Sequence, residues 1–358
     1  MLTELFDYHL PNELIAQVPT TERDQSKLLV VNRSAQTISH HLFNEIDQFL
    51  TPGDCLIRNS ARVIPARLFA QRVTGGKVEC FLLRPATEEN QWWCLLKPGK
   101  KLPIGSVFGM SNEFQAKVLE KNEKAEFRVQ ITPEKKETIH SLAERIGHIP
   151  LPPYISRKQG DQEKIEKADR SRYQTVYSNK EESVAVAAPT AGLHFTEALL
   201  QRLERQQIAF ADLYLHVGLG TFRPIETSEI EEHPIHRELY EIPALARKAI
   251  EPGSYTRRIA VGTTTVRSIE DYTQKGNIYQ NSAHLDEAGI FIYPPFEFRA
   301  TDALITNFHL PQSTLLCLLS AFLTPGSTDG IAWFKDIYKE AIREKYRFLS
   351  YGDAMLIL

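Results

Sequence analysis

Apolar positions change their spacing twice along this chain. "SKLLVV" at 26–31 predicts a strand, and "NRSA" reads as a turn. "FNEIDQFL" at 43–50 predicts a helix stopped by Pro52 and Gly53, and "DCLIRN" at 54–59 the next strand. From Arg62 to about His148 the texture becomes one of short β-type runs at close intervals: "ARLFAQRV", "KVECFLL", "QWWCLL", "FQAKVLE" and "AEFRVQI", parted by Gly-Gly, Pro-Gly-Lys and Asn-rich turns. That texture predicts a small barrel or sandwich, with the Pro-rich "HIPLPPYISRK" as its exit.

Beyond the charged stretch "SRKQGDQEKIEKADRSRYQTVYS", strands and helices alternate again. "SVAVAA" precedes "EALLQRLERQQ", "FADLYLHV" runs into "GLGTFRP", "RRIAVG" precedes "TTVRSIEDYTQ", and "DALITNFHL" precedes "STLLCLLSAFL". Such alternation implies a sheet with helices packed on it. The pattern as a whole predicts an α/β protein. Its mixed-sheet main domain is built from both chain ends, residues 1–60 and 152–358, and a small β-barrel domain is inserted at 61–151. No repeat of fixed period is present.

Composition narrows the class. With 42% hydrophobic and 24% charged residues the 358-residue chain is an ordinary globular one, and a net charge of −3 gives no global basic field, although a local basic face would suffice for nucleic acid. No Lys or Arg precedes Arg23, so the start lacks the positive region of a secretory signal, and "TLLCLLSAFL" is about half the ~20 residues that cross a bilayer. A cytoplasmic protein with no membrane association is expected. Cys55, Cys80, Cys94 and Cys317 stand singly in apolar runs, the pattern of packed thiols rather than of a metal or disulfide framework.

Four loops beyond strand ends carry the chemistry, where open α/β sheets place their ligands. "PTAGLHFT" offers Thr190, Gly192 and His194; "LHVGLGTFRP" offers His216, Gly218, Gly220, Thr221 and Arg223. "VGTTTVRS" offers Thr263, Thr264, Thr265 and Arg267; "TNFHLPQST" offers Asn307 and His309. In "VGTTTVRS" a strand ends at Gly262 and three hydroxyls meet the free N–H groups of a helix start, a corner suited to carboxylate or phosphate and equally to simple capping. "GLGTF" lacks the G-x-G-x-x-G spacing, and Pro224 blocks a following helix, so no dinucleotide fingerprint is present. "EEHPIHREL" sets His233 and His236 among glutamates, but Pro234 spoils a helical ligand pair and a solvated acidic turn is expected instead.

Seven blocks, "FDYHLPNELIAQVP", "DRSRYQTVYS", "AAPTAGLHFT", "LHVGLGTFRP", "VGTTTVRS", "DALITNFHLPQSTLL" and "YRFLSYGDAML", resemble in order the S-adenosylmethionine:tRNA ribosyltransferase-isomerases of queuosine biosynthesis. The resemblance implies transfer and isomerisation of the ribosyl group of S-adenosylmethionine onto 7-aminomethyl-7-deazaguanine at the tRNA wobble position. Epoxyqueuosine-tRNA, adenine and methionine are the implied products. The donor would be consumed as a substrate with no separate cofactor, no metal is implied, and a monomer is expected. Two departures stand out: Pro295 and Phe296 where the family has Gly-Tyr, and Arg58, Ser60 and Ala61 in a block that reads more like N-D-T-R.

The implied chemistry needs a base for the 5′ carbon acidified by the sulfonium, an acid for adenine, and an anion site for the methionine carboxylate. His194 and His309 are the candidates for proton transfer, without assignment of base and acid. Thr263, Thr264, Thr265 and Arg267 are candidates for the carboxylate, and Phe195, Tyr214 or Phe222 for a cation–π contact with the sulfonium. For RNA, Arg62 and Arg67 flank the start of the barrel, while Arg157, Lys158, Arg170 and Arg172, with Tyr173 for stacking, follow it. A methyltransferase would need a Gly-rich loop after an early strand, which is absent; a tRNA-binding module without catalysis would bind RNA indifferently to the donor.

Overall fold

The structure, a computed structural model, describes residues 1–157, 162–185, 187–215, 224–276 and 283–358, with the side chains of 162–164 and 180–184 also left aside. In chain order come strands β1 (Lys27–Asn32), β2 (Thr37–Leu42), β3 (Asp54–Asn59) and β4 (Ala61–Val63). Six more follow: β5 (Arg67–Arg72), β6 (Lys77–Pro85), β7 (Gln91–Lys97), β8 (Val107–Met110), β9 (Phe114–Lys121) and β10 (Phe127–Pro133). Helices α1 (Ile139–Ile146) and α2 (Gln162–Arg172) lead to β11 (Asn179–Ala185), α3 (Glu197–Arg205), β12 (Ala209–Leu215), β13 (Glu238–Ile242) and α4 (Ala244–Ile250). The chain closes with β14 (Arg257–Val261), α5 (Thr263–Gln274), β15 (His284–Ala288), β16 (Ala303–Asn307), α6 (Thr314–Leu323), α7 (Gly330–Arg343) and β17 (Ala354–Ile357).

Nine strands form one mixed sheet in the order β15-β13-β12-β3-β14-β16-β17-β1-β2, so both chain ends contribute to it. The four central strands β12, β3, β14 and β16 run parallel. β3 and β16 are buried along their whole length, and their apolar runs are unbroken because both faces are covered, whereas β12 alternates between buried Leu213 and Leu215 and half-buried Asp212 and Tyr214. In β1, Leu29 and Val31 join the core under α5, α6 and α7, while Leu28 and Val30 face the opposite core with Phe43, Ile46, Leu199 and Leu203. The period-2 alternation of a strand thus serves two cores at once.

Strands β5 to β10 close into an antiparallel barrel in the order β10-β7-β6-β5-β8-β9. Its interior is filled by alternate residues, among them Leu68, Cys80, Trp92, Phe108, Phe114 and Val129, and Ile139, Leu142 and Ala143 of α1 pack into the same core. The chain leaves the barrel beside its start: Arg67 and His148 exchange backbone hydrogen bonds of 3.2 and 2.9 Å. The barrel strands span Arg67–Pro133, and the short β4 at Ala61–Val63 pairs instead with β11 of the main part.

Two elements differ from the sequence reading. Phe43–Phe49 is a 3₁₀ helix, held by a Glu45 carboxylate that accepts from Leu42 N–H at 2.8 Å. "TISHHL" forms β2, whose largely exposed, polar residues hide its pairing with β1 from an apolar-pattern reading. The four cysteines are free and buried, as expected. No described helix is long and apolar enough to cross a membrane.

Because α1 supplies part of the barrel core, Leu142→Ala should destabilise the protein by ~2 to 5 kcal/mol in denaturant titration. A loss below ~0.5 kcal/mol would mean that α1 does not pack there.

Candidate active site

β14 and β16 lie side by side with Val261 level with Ile305, so their carboxyl ends open onto the same place. A cleft there is lined by Thr190, Gly262, Thr263, Thr264, Asn307 and His309, together with Tyr154, Ser313, Leu349 and Ser350. Gly262 turns the chain at φ +96°, a conformation other residues rarely adopt, and α5 starts at the next residue. No side chain caps that helix, so its first N–H groups are presented at the cleft wall.

His309 is fixed through its backbone: its N–H donates to Tyr338 Oη at 3.0 Å and its carbonyl accepts from Tyr8 Oη. Nε2 lies 2.9 Å from Thr306 Oγ1, which leaves Nδ1 without a hydrogen-bond partner among the described residues. Burial pushes the ring's pKa down to about 3, so the imidazole is neutral at physiological pH.

Asn307 is 3% exposed. Its Nδ2 donates to Leu349 O at 3.2 Å and Asp353 O at 3.4 Å, and lies 3.2 Å from His194 Nε2. Two carbonyls facing one atom fix the amide orientation, because only nitrogen can donate to both. Asn307 Oδ1 is buried and has no partner among the described residues.

His194 is also buried, and both of its ring nitrogens are engaged, Nε2 by Asn307 and Nδ1 by Ser26 Oγ at 2.7 Å. Since Asn307 Nδ2 is a donor, Nε2 must accept; Nδ1 therefore carries the proton and donates to Ser26. Burial, then the charges of Arg347 and Arg23, push its pKa down to about 3.

Several expected ligand residues lie elsewhere. Arg267, placed at the carboxylate in the sequence reading, is turned away from the cleft. Its Nη1 binds buried Glu238 at 2.6 Å, and its other nitrogens donate to the carbonyls of His236, Ala288 and Ile290. A buried carboxylate is a stronger attraction for a guanidinium than a half-open cleft. Thr265 Oγ1 donates to Val261 O inside the helix start, and Phe195 is core, edge-on to Phe43 at 5.0 Å. Gly192 makes room for Tyr177, whose hydroxyl a Cβ would overlap, rather than for a ligand. Tyr214 accepts from Asn179 Nδ2 at 3.2 Å. His216, Gly218, Gly220, Thr221, Phe222 and Arg223, like Lys158, lie outside the described residues.

The arginine candidates for RNA each have a protein partner among the described residues. Arg62 pairs with Glu144 at 3.4 Å and Arg67 with Glu79 at 3.0 Å. Arg157 forks onto Asp169 at 2.8 Å through two nitrogens. Arg170 donates to Glu144 O and Gly147 O, and Arg172 to Thr20 O and Thr21 O at 2.7 Å, so the two tie α2 to the barrel exit and to the N-terminal segment. Tyr173 is fully buried, against Tyr351 at 5.8 Å, and offers no stacking face. His233 and His236 join no cluster of metal-ligating side chains among the described residues.

Comparison with known proteins agrees with this architecture. The family described as "Queuosine biosynthesis protein" matches residues 3–357. The chain belongs to that family. Relatives named S-adenosylmethionine:tRNA ribosyltransferase-isomerase are 43% identical in Thermotoga maritima and 44% in Pelobacter propionicus, over 99% and 100% of this chain and 98% and 100% of theirs. The crystal structure of S-adenosylmethionine tRNA ribosyltransferase from Thermotoga maritima superposes with a TM-score of 0.52 at 34% identity, covering 99% of this chain and all of that one.

Of the departures from the queuosine biosynthesis family pattern, Arg58 is accounted for. It is buried, bound to Asp212 at 2.6 and 3.2 Å, and stacked between the rings of Tyr177 and Phe210 at 4.3 and 4.5 Å. The sequence reading missed Tyr8, Ser26, Tyr154, Leu349 and Ser350. Tyr8 and the pair Leu349–Ser350 sit inside the matched blocks "FDYHLPNELIAQVP" and "YRFLSYGDAML", which was the available signal.

Both histidines carry depressed folded pKa values, so their protons should be absent well below the ordinary imidazole value of ~6.5. The unfolded chain protonates first, and stability present above pH ~6.5 is lost progressively toward pH 3. Histidine ¹⁵N shifts should stay neutral for both rings at pH 5, with His194 in the Nδ1–H form. Protonation of either near pH 6.5 would contradict this burial.

Proposed function

We propose that the cleft beyond β14 and β16 binds S-adenosylmethionine and that the chain transfers and isomerises its ribosyl group onto 7-aminomethyl-7-deazaguanine at the wobble position of a tRNA. Epoxyqueuosine-tRNA, adenine and methionine are the products, and the donor is a consumed substrate in a scheme that needs no separate cofactor. The observation that carries the reading is the meeting, in a member of this family, of an unpartnered buried carboxamide oxygen, a neutral imidazole and an uncapped helix start in one cleft.

In this reading the amides of Thr263 and Thr264 hold the methionine carboxylate at the positive end of α5. His309 Nδ1, neutral and free, accepts the proton from the 5′ carbon that the sulfonium acidifies. Adenine then leaves, the amine of the tRNA base attacks the sugar, and epoxide closure expels methionine. Tyr8 and Tyr338 keep the His309 backbone from shifting as the charge changes.

The tRNA is read as lying along the barrel. Residues 61–151 carry 15 Lys and Arg against 10 Asp and Glu, whereas the whole chain has 42 against 45. Lys77 and Lys117 stand exposed on its outer surface, with exposed Phe69 on the neighbouring strand β5 for stacking. A monomer working in the cytoplasm completes the reading.

Incubation with S-adenosylmethionine and a tRNA bearing the aminomethyl base should release free adenine; release of S-adenosylhomocysteine instead would make the chain a methyltransferase. His309→Ala should lower single-turnover adenine release about 10²- to 10⁴-fold with the melting temperature within a few degrees. Turnover near that of the unaltered chain would remove His309 from the mechanism.

Replacing Lys77 and Lys117 together by Ala should weaken tRNA binding and flatten its log–log salt slope by about 0.7 to 0.9 per lost phosphate contact, leaving donor affinity unchanged. An unaltered slope would place the RNA on another face.

A further inference from the structure

His194 was the natural candidate for a proton carrier, yet its ring has no vacant nitrogen. Nδ1 donates to Ser26 Oγ at 2.7 Å, and the Ser26 hydroxyl in turn lies 3.4 Å from Arg23 O. Nε2 accepts from Asn307 Nδ2 at 3.2 Å. The hydrogen bonds therefore run in one direction, from Asn307 through the imidazole and Ser26 to a main-chain carbonyl.

A second set of contacts turns the same amide the same way. Leu349 sits at φ +71°, in the left-handed region unfavourable to a bulky side chain, and its carbonyl accepts from Asn307 Nδ2. Asp353 O is the other main-chain acceptor. With the two N–H groups of Nδ2 shared among three acceptors, Oδ1 is left on the other side of the amide, buried and without a partner among the described residues, on a residue that lines the cleft. An acceptor in that state costs stability unless a ligand supplies a donor.

Building on the proposed donor site, we infer that Asn307 Oδ1 receives a hydrogen-bond donor of S-adenosylmethionine, and that His194 is a positioning residue that aims this acceptor. The donor is an O–H or N–H on the ribose, the adenine or the α-ammonium group. Adenosine and methionine, titrated separately, assign it to one half of the molecule.

The test compares His194→Gln, His194→Leu and Asn307→Ala by calorimetry with S-adenosylmethionine, with melting temperatures taken on the same preparations. Glutamine brings an acceptor oxygen to about the reach of Nε2 and cannot carry a proton at neutral pH; leucine fills the space with no acceptor. The inference expects His194→Gln to bind the donor within about 5-fold of the unaltered chain and to restore adenine release to a similar degree, while His194→Leu and Asn307→Ala weaken binding about 10- to 100-fold. If His194→Leu does not fold, Ser26→Ala, which cuts only the far end of the relay, should show a smaller loss in the same direction. Adenine release reduced 10²-fold or more in His194→Gln with donor affinity intact would make His194 a proton carrier and overturn the inference. Unchanged donor affinity in Asn307→Ala would overturn it as well. Should the unaltered chain bind the donor yet release no adenine, the reaction reading fails while the binding arms still decide the inference.

Discussion

Polar atoms taken out of water need partners, and at the carboxyl edge of the central parallel strands this requirement places nearly every side chain. Asn307, at the end of β16, is the junction: its amide nitrogen ties together the segment carrying His194 and the turn at Leu349–Asp353. His309, two residues on, is pinned by hydroxyls from the first residues of the chain and from α7. Parts of the protein more than 300 residues apart thus converge on one short loop, which is why the main domain must be assembled from both chain ends.

The same requirement sorts the arginines. Arg267 is drawn to buried Glu238, Arg58 to Asp212 between two rings, Arg157 to Asp169, and Arg170 and Arg172 to main-chain carbonyls. A planar fork of donors is well suited to such stitching. In the proposed reading, the charge offered to RNA therefore comes from exposed lysines of the barrel rather than from these five arginines, and the surplus of basic residues at 61–151 is in keeping with that division.

Much of the architecture was legible in the sequence, because strand–helix alternation and a run of short β segments have distinct periods. The loops holding Thr190, Thr263, Thr264, Asn307 and His309 were legible too, since strand ends can be read from where an apolar run stops, and all five residues line one cleft. What a side chain does at that edge was not. Arg267 and Glu238 are 29 residues apart and nothing in either stretch announces their pairing. Phe195 and Tyr173 carry the same chemistry whether they face a ligand or a core, and only packing separates the cases. The tautomer of His194 depends on Ser26, 168 residues upstream, in a segment that reads as an ordinary strand start. "TISHHL" was missed because an edge strand exposes both sides of its pattern.

In the proposed reading the donor lies between the ends of β14 and β16. A crystal structure with S-adenosylmethionine bound decides the matter. The ligand is expected within hydrogen-bond distance of Asn307 Oδ1, with its carboxylate at the start of α5 and its 5′ carbon facing His309 Nδ1. A ligand bound elsewhere, with the cleft empty and Asn307 Oδ1 still unpartnered, would contradict that reading.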